Sequence, residues 1–332
     1  MKILLSFPGH LKTVPMNGFI YQTLKAMGHE VVPFNFGVQG IYQRLIKKIS
    51  NDNFLNHINN KLKRLADIFK PDIFLTIFGF DHNRETVDYI KKKDVITICW
   101  WLNDPFQFNR SVKQAGFYDY YFTNAKGSVE GYRESGIKNV FFLPVGCYPP
   151  VHRRLADAKD KKYDICFAGD WHPVREEMLS SLAADFNISI FGPWGDKMKR
   201  GYPLKQSIKK DGGFSPDEMV RVFNQSKIVL NIHTWFGKWD YGINPRVFEA
   251  NGCGAFQICD YKKEIVEMYD IDSEIVLYRN IDELKTKLSH FLCSDRERDE
   301  IAGNALLKTH NRHTYKERLK EMFSICGMKD YA

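Results

Sequence analysis

The sequence predicts an α/β protein made of two Rossmann-like domains in tandem. Short apolar runs alternate with longer amphipathic ones, which is the pattern of parallel strands joined by helices. This alternation stops once, at a proline-rich segment, and then begins again. The chain has 332 residues, and domains of about 150 residues would divide it into two. Its apolar share of 44% and charged share of 27% are those of a globular protein.

The first half of the chain contains six predicted strands. Helices between them are expected to end at glycines, as at Asn17–Met27 before Gly28 and Ser128–Glu134 before Gly136. The segment 40–69 is predicted to be helical and basic on one side, with a break near Ser50. The predicted strands are Lys2–Phe7, Val31–Phe36, Asp72–Phe78, Val95–Trp101, Tyr120–Thr123 and Val140–Leu143.

A change of composition marks the expected domain boundary. Three prolines and a glycine lie between Leu143 and Pro150, and a polar stretch, His152–Lys162, follows them. Such a change is typical of a linker between domains. We therefore expect one domain over residues 1–150 and a second over residues 151–312.

The second half repeats the same order of elements. Ser215, Pro216 and Glu218 form a capping pattern that predicts a helix start, and Asn244-Pro245 predicts another by similar logic. The predicted strands are Tyr163–Ala168, Ile188–Phe191, Ile228–Ile232, Ala255–Cys259 and Glu274–Tyr278. The predicted helices are Pro173–Ala184, Pro216–Gln225, Pro245–Asn251, Lys262–Tyr269, Ile281–Cys293, Asp295–Lys308 and Thr314–Ile325.

Composition excludes several classes of protein. No apolar run reaches the ~18 residues of a membrane-spanning helix, and the first strand, stopped by Pro8, does not have the pattern of a signal peptide. The seven cysteines are scattered without a Cys-x-x-Cys pair, which is typical of a reducing compartment, so we expect a cytoplasmic protein. The net charge of +8 favours anionic ligands. P-loop and Gly-x-Gly-x-x-Gly motifs are absent from the sequence.

Candidate binding residues follow the first predicted strand of the second domain. Ligands of parallel sheets bind beyond the carboxyl ends of the strands. Gly169 allows a tight turn there, and Arg175 lies in the first turn of the next helix, whose N-terminus also favours an anion. We interpret Arg175 as a phosphate-binding residue. Pairing with Asp170 or Glu176 is the alternative.

Aromatic loops follow two further strands of this domain. Gly192 and Trp194 belong to a turn in which Trp194 could form the wall of a nucleobase pocket, with core packing as the alternative. The loop 231–243 carries His233 and four aromatic residues, and exposed aromatic side chains lower solubility unless something covers them. We expect a ligand cleft at this loop, with packing between domains as the alternative.

The short helix after Asn244 carries an arginine and a glutamate on one face. Arg246 and Glu249 are three residues apart, a spacing that makes them neighbours on a helix. The guanidinium suits a diphosphate, and the carboxylate can accept hydrogen bonds from two ribose hydroxyls. Asn244 belongs to the same candidate site. An ion pair within the helix is the alternative.

The first domain offers two candidates for a general base. Asp104 lies after a predicted strand and before Pro105, where it could accept the proton of an acceptor hydroxyl. Its alternative is a turn-forming role. His10 follows the first strand and could act as a base or as a phosphate partner; an ordinary loop histidine is the alternative.

One run of residues resembles a known family. Residues 244–256 read Asn-Pro-Arg-x-Phe-Glu-Ala-x-Gly-Cys-Gly-Ala-Phe, and this run resembles the glycosyltransferase-like family of the spore-maturation protein CgeB. Supporting pieces occur in the family's order: Phe167-x-Gly169, Arg175, Phe191-Gly192, Lys227–His233 and Asp260. The resemblance covers roughly residues 140–325. It implies the GT-B fold, in which two Rossmann-like domains face each other across a cleft and the last segment, 313–332 here, is a helix that returns to the first domain.

The resemblance also implies an activity. Such an enzyme transfers a sugar from a nucleoside-diphosphate sugar, bound by the second domain, to a hydroxyl acceptor. Glu249 falls where related retaining families hold the donor ribose, whereas Tyr241 replaces a glutamate that those families place on the donor sugar. We expect neither cofactor nor metal ion, because Arg175 and Arg246 would stabilise the departing diphosphate.

The acceptor stays open at this point. The basic region formed by Arg44–Lys48 and Lys61–Arg64 could receive an anionic glycan, a membrane-linked carrier, a protein or a nucleic acid. Peripheral contact with a membrane is one option. Two other functions remain as alternatives. One is a glycosyltransferase that acts on modified bases of DNA, and the other is a catalytically inactive module that binds a nucleotide or a glycan.

Overall fold

In the computed structural model, the chain divides into two compact units. The first comprises Met1–Pro144 and the described residues from Arg318 onwards, and the second comprises Val145–Glu317. The structure describes residues 1–11, 14–158, 160–198 and 203–328. Composition predicts a boundary at residue 150, and the resemblance to CgeB-like proteins implies a second one at residue 312, whereas the units divide at Pro144 and Glu317. No helix in the described part of the chain is both long and apolar enough to span a bilayer.

The first unit is built on a six-stranded parallel sheet. Its strands are β1 (Lys2–Phe7), β2 (Glu30–Asn35), β3 (Ile73–Ile77), β4 (Ile96–Trp101), β5 (Tyr120–Thr123) and β6 (Val140–Phe142). They lie in the order β2-β1-β3-β4-β5-β6. Its helices are α1 (Pro15–Ala26), α2 (Gly40–Ile49), α3 (Asn51–Phe69), α4 (Arg84–Lys91), α5 (Phe108–Ala115) and α6 (Ser128–Glu134).

The second unit is built on another six-stranded parallel sheet. Its strands are β7 (Tyr163–Ala168), β8 (Ile188–Gly192), β9 (Ile208–Asp211), β10 (Ser226–Asn231), β11 (Gln257–Asp260) and β12 (Val276–Tyr278). Their order, β9-β8-β7-β10-β11-β12, is the 3-2-1-4-5-6 order of dinucleotide-binding folds. Its helices are α7 (Pro173–Leu182), α8 (Pro216–Asn224), α9 (Arg246–Gly252), α10 (Lys263–Met268), α11 (Ile281–Leu292) and α12 (Asp295–Arg312), with a 3₁₀ turn at Pro203–Ser207.

The last helix, α13 (Tyr315–Ile325), begins in the second unit and continues in the first. Its far end packs on the first unit. The ring of Phe323 meets that of His29 edge-to-face at 5.4 Å, and the Tyr120 hydroxyl donates a hydrogen bond to the carbonyl oxygen of Cys326.

Both faces of the second sheet are buried. Successive side chains of a strand point to opposite faces, and in this sheet both sets belong to apolar clusters. Ile165 and Phe167 of β7 belong to one apolar cluster, and Cys166 and Ala168 belong to another. Helices on both faces cover such a sheet, so its strands read as unbroken apolar runs. This is why the strands of this chain are visible in the sequence.

Each predicted strand is present, and the predicted fold class is confirmed. Strand β9, with the sequence Ile-Lys-Lys-Asp, is absent from the predictions because it is a sheet edge with one apolar residue. The capping box at Ser215 and Glu218 is confirmed. The prediction that Asn244 caps a helix is wrong. Pro245 is the N-cap residue, and the Asn244 side chain instead exchanges hydrogen bonds with Asn231.

Candidate functional site

The candidate site of the second unit lies where its strand order reverses. Strands β7 and β10 are neighbours in the sheet, yet the chain leaves them in opposite directions, towards β8 and β11. Ligands of open parallel sheets bind outside the carboxyl ends of the strands at such a switch point. The loops that follow β7 and β10 therefore define the site.

Arg175 joins these two loops. Its Nε donates to the carbonyl oxygen of Ile232, after β10, at 2.9 Å, and its Nη1 donates to the carbonyl oxygen of Asp170, after β7, at 2.8 Å. The guanidinium carbon lies 5.3 Å from the centroid of the Phe167 ring. Nη2 makes no hydrogen bond among the residues that the structure describes. Backbone groups thus hold the guanidinium in place and leave one nitrogen for a ligand.

The charge of Arg175 has no carboxylate partner within ion-pair distance in the described ranges. Burial, and then the nearby charge of Arg246, lower the pKa of Arg175 to about 10. The group therefore stays a cation at neutral pH in a place where that charge is disfavoured. The helix that carries it, α7, has no side-chain cap at His172, so its N-terminus adds a favourable field for an anion. The alternative interpretation, an ion pair of Arg175 with the carboxylate of Asp170 or Glu176, is not seen among the described residues.

Arg246 and Glu249 form an ion pair within their helix, which is the alternative that their spacing left open. Nη1 of Arg246 lies 2.7 Å from Oε2 of Glu249, and the side chains are 21% and 17% exposed. The guanidinium also lies over the ring of Phe223 at 5.4 Å and contacts the sulfur of Met219. Because the remaining nitrogens of Arg246 and Oε1 of Glu249 lack a partner among the described residues, both groups can still take a ligand.

His233 is placed differently from its prediction. Its side chain is fully buried, its Nδ1 lies 2.7 Å from Oδ1 of Asp260, and its Nε2 accepts the backbone N–H of Asn244 at 3.1 Å. The Nε2 contact requires an unprotonated nitrogen, so Nδ1 carries the proton and its N–H donates a hydrogen bond to Asp260. Burial lowers the pKa of His233, which keeps the ring neutral. His233 therefore fixes the loop between β10 and α9, and both of its ring nitrogens are engaged within the protein.

Asp260 is the centre of this buried cluster. Its Oδ2 accepts the ammonium of Lys262 at 2.5 Å. Although burial raises it, the pKa of Asp260 is lowered well below its usual range by His233 and Lys262. His233, Cys259 and Asp260 place three potential metal ligands within 4.8 Å. The Lys262 ammonium already neutralises the carboxylate, and the donor set is engaged in hydrogen bonds, so these residues do not fit a metal ion.

Gly169, Gly192 and Trp194 pack together where the loops after β7 and β8 meet. The Trp194 indole N–H donates to the carbonyl oxygen of Gly169 at 2.8 Å. A Cβ on Gly192 would lie 2.2 Å from that same oxygen, and the φ of Gly192 is +146°, so only glycine fits there. Trp194 is fully buried against Phe167. The prediction that Trp194 forms a nucleobase wall is therefore wrong, and core packing is correct.

A cavity of about 330 Å³ opens at the ends of β10, β11 and β12. Part of its wall comes from the aromatic loop that the sequence singled out, including Trp239 and Tyr241. Sequence reasoning missed Tyr261, Tyr278 and Arg279, although they lie at or directly after predicted strand ends. The guanidinium of Arg279 stacks on the Tyr261 ring at 3.5 Å. Further lining residues are Phe236, Gly237, Lys238, Asp240 and Lys262.

In the first unit, Asp104 is a structural carboxylate. It is fully buried; Oδ1 accepts the Ser111 hydroxyl at 3.1 Å, and Oδ2 accepts those of Thr123 at 2.7 Å and Tyr132 at 2.6 Å. Burial raises the pKa of Asp104 against the opposing effect of these donors. The carboxylate therefore offers no open side to an acceptor hydroxyl. The prediction that Asp104 is a general base is wrong.

His10 has an open position. It is exposed and lines a cavity of about 260 Å³ at the carboxyl ends of β1 and β2, together with Asn35, Gln39 and Lys61. An exposed imidazole beside a cavity that polar and apolar side chains line can exchange a proton with a bound hydroxyl. His10 therefore stays the candidate base of the first unit.

Comparison with known proteins agrees with the predicted family. The family described as glycosyl transferase-like matches residues 175–324. The chain is 21% identical over 263 residues to the spore protein CgeB of Bacillus subtilis (strain 168), a match that covers 76% of this chain and 81% of that protein. The predicted resemblance to CgeB is confirmed.

Solved structures show the same fold. A sucrose-phosphate synthase from Thermosynechococcus elongatus superimposes with a TM-score of 0.72 at 10% identity, covering 98% of both chains. The Anabaena protein Alr3699/HepE in complex with UDP-glucose gives a TM-score of 0.68 at 12% identity, covering 98% of this chain and 99% of that one. The predicted GT-B fold is confirmed.

Proposed function

We propose that this CgeB-like glycosyltransferase moves a sugar from a nucleoside-diphosphate sugar to a hydroxyl group of its acceptor without a metal ion. The observation that carries the proposal is Arg175, which has no carboxylate partner among the described residues and which backbone carbonyls hold at the switch point of the second sheet. A diphosphate is the anion that such a group and an open helix N-terminus together favour.

The donor would extend along the site in three parts. The diphosphate lies against Arg175 and Arg246, and the ribose hydroxyls donate to Glu249. The glycosyl group occupies the cavity that Tyr241 lines, because Tyr241 stands where related retaining families place a glutamate on the donor sugar. Tyr278 supports this order, since it lines the cavity and its hydroxyl donates a hydrogen bond to the carbonyl oxygen of Asn231, at the end of β10.

The reaction breaks the bond between the anomeric carbon and the diphosphate oxygen and forms a bond from that carbon to the acceptor oxygen. The leaving diphosphate gains negative charge, and two fixed guanidinium groups are suited to stabilise it. The acceptor oxygen loses its proton, and His10 is our candidate to receive it. Metal independence follows in this proposal from the guanidinium groups, which take the place of a divalent cation.

The direct test is a transfer assay with a panel of nucleotide sugars. UDP-glucose comes first because the Anabaena structure contains it, followed by GDP, CDP and dTDP sugars. We expect release of one nucleoside diphosphate, detected by mass spectrometry, at a rate that EDTA does not change. Loss of activity in EDTA would refute metal independence. Binding of a nucleotide sugar without turnover of any donor would instead identify an inactive binding module.

A further inference from the structure

Helix α2 of the first unit turns its apolar side outward. Ile41 and Ile49 are 76% and 82% exposed, and Tyr42 and Leu45 are more than half exposed. Five of the nine large apolar side chains that the structure describes as strongly exposed lie between residues 38 and 49. Single exposed apolar residues are ordinary, but a contiguous patch marks a surface that something covers.

The apolar residues form one stripe along the helix. At about 100° per residue, Ile41, Leu45, Ile49 and Tyr42 fall within an arc of about 100°. The protein side of the helix instead carries Gln43, which is buried and accepts the backbone N–H of Gln39 at 2.6 Å, and Ile46, which packs on the core of the first unit. The amphipathic pattern is thus reversed relative to that of a helix that covers a core.

Basic residues border this stripe. Arg44 and Lys48 lie beside Ile41 on the helix surface and form no ion pair among the described residues. Between residues 40 and 64 the chain has six basic residues, namely Arg44, Lys47, Lys48, Lys61, Lys63 and Arg64, and one acidic residue, Asp52. Such a combination of an exposed apolar arc and adjoining cations suits the interface of a bilayer with anionic headgroups.

We infer that α2 lies in the surface of a membrane that contains anionic lipids, with Ile41, Leu45 and Ile49 among the acyl chains and Arg44 and Lys48 at the headgroups. A second copy of this chain fits the surface less well. A symmetric interface would bring the Arg44 and Lys48 side chains of both copies together, and α2 has no acidic residue to pair with them. This inference does not depend on the proposed transfer reaction.

The test is flotation of the full chain with vesicles. One set contains phosphatidylcholine alone, and the other contains phosphatidylcholine with phosphatidylglycerol. We expect binding to the anionic vesicles, weakened by salt. The double variant Ile41→Gln/Leu45→Gln should lower the bound fraction by about tenfold or more, because it removes the apolar surface that enters the bilayer. Leu307→Gln, at an equally exposed position of α12, should bind as the parent chain does.

A second double variant, Arg44→Gln/Lys48→Gln, keeps the apolar arc and should lose the preference for anionic vesicles. Thermal unfolding would check that all variants are folded. Absence of binding to both vesicle sets, or equal binding of the parent chain and Ile41→Gln/Leu45→Gln, would overturn the inference. A dimer would overturn it as well. In that case the parent chain would not bind vesicles and would sediment as a dimer, and Ile41→Gln/Leu45→Gln would sediment as a monomer, because a second copy would cover the apolar side of α2.

Discussion

At the scale of single residues, Asp104 and Arg175 show that a charged side chain can be structural or available for a ligand. Asp104 is surrounded by three hydroxyl donors and has no free side, whereas Arg175 is fixed by two carbonyl oxygens and keeps one nitrogen open. Both are charged residues in segments that follow strands, Asp104 in a loop after β4 and Arg175 in the first turn of α7. Their surroundings, and not their position in the sequence, decide what they can do.

Replacement of Asp104 tests its structural role. Asp104→Ala should lower the free energy of unfolding by about 3 kcal/mol, because the buried hydroxyls of Ser111, Thr123 and Tyr132 lose their shared acceptor. Chemical denaturation measures this change. Asp299→Ala, at an exposed position of α12, should leave stability unchanged. A folded Asp104→Ala variant as stable as the parent chain but inactive in transfer would restore the role of base.

The sequence predicts which residues are candidates for the site more readily than it predicts the contacts that each of them makes. Residue type and a place in the first turn of a helix that follows a strand suffice to predict that Arg175, Arg246 and Glu249 lie near a ligand edge. Their contact with a ligand stays a prediction. Trp194 and His233 were misjudged, because their contacts are to Gly169 and Asp260, far away along the chain. A sequence without aligned relatives carries no direct record of such long-range contacts.

At the scale of elements, local signals predicted helix α8 well. Ser215, Pro216 and Glu218 form the capping box in the structure, since the interactions that start a helix lie within a few residues of one another. Strand β9 and the neighbours of Asn244 depend on partners from other parts of the chain. Helix α2 was predicted as basic, but its outward apolar side became visible only when the packed side was known.

The capping box also makes stability depend on pH. The Glu218 carboxylate accepts hydrogen bonds from the Lys210 ammonium and from the backbone N–H of Ser215. These two contacts, the first more than the second, lower the pKa of Glu218 from 4.5 to about 2. A pKa that is lower in the folded state stabilises the fold above the unfolded value and ceases to do so as the pH falls. The stability advantage of the parent chain over Glu218→Gln should therefore be complete above pH 4.5 and vanish towards pH 2.

Urea denaturation at several pH values measures this difference. In a chain that already carries Lys210→Met, the pH-dependent part of the Glu218→Gln effect should be smaller, because the largest cause of the lowered pKa is gone. An advantage that stays constant from pH 4.5 to pH 2 would contradict the assignment.

At the scale of the whole molecule, each of the two units is built on a parallel sheet of six strands. Their buried strands could be predicted because both faces of each sheet are covered and the sequence then reads as apolar runs. The order of the strands and the position of the switch point came from the structure. The GT-B fold and the return of the last helix came from the resemblance to CgeB-like proteins, because no periodicity in the sequence encodes which unit a terminal helix joins.

The proposed function depends most directly on Arg175, which would receive the diphosphate of the donor. Calorimetric titration with UDP, GDP, CDP and dTDP first identifies the preferred nucleotide, and the same titration is then repeated on Arg175→Gln and on Arg221→Gln, an exposed arginine of α8 paired with Asp157. Loss of a charge-assisted contact predicts an affinity lower by about tenfold or more for Arg175→Gln and an unchanged affinity for Arg221→Gln. Equal affinities of the parent chain and a folded Arg175→Gln variant would contradict the claim.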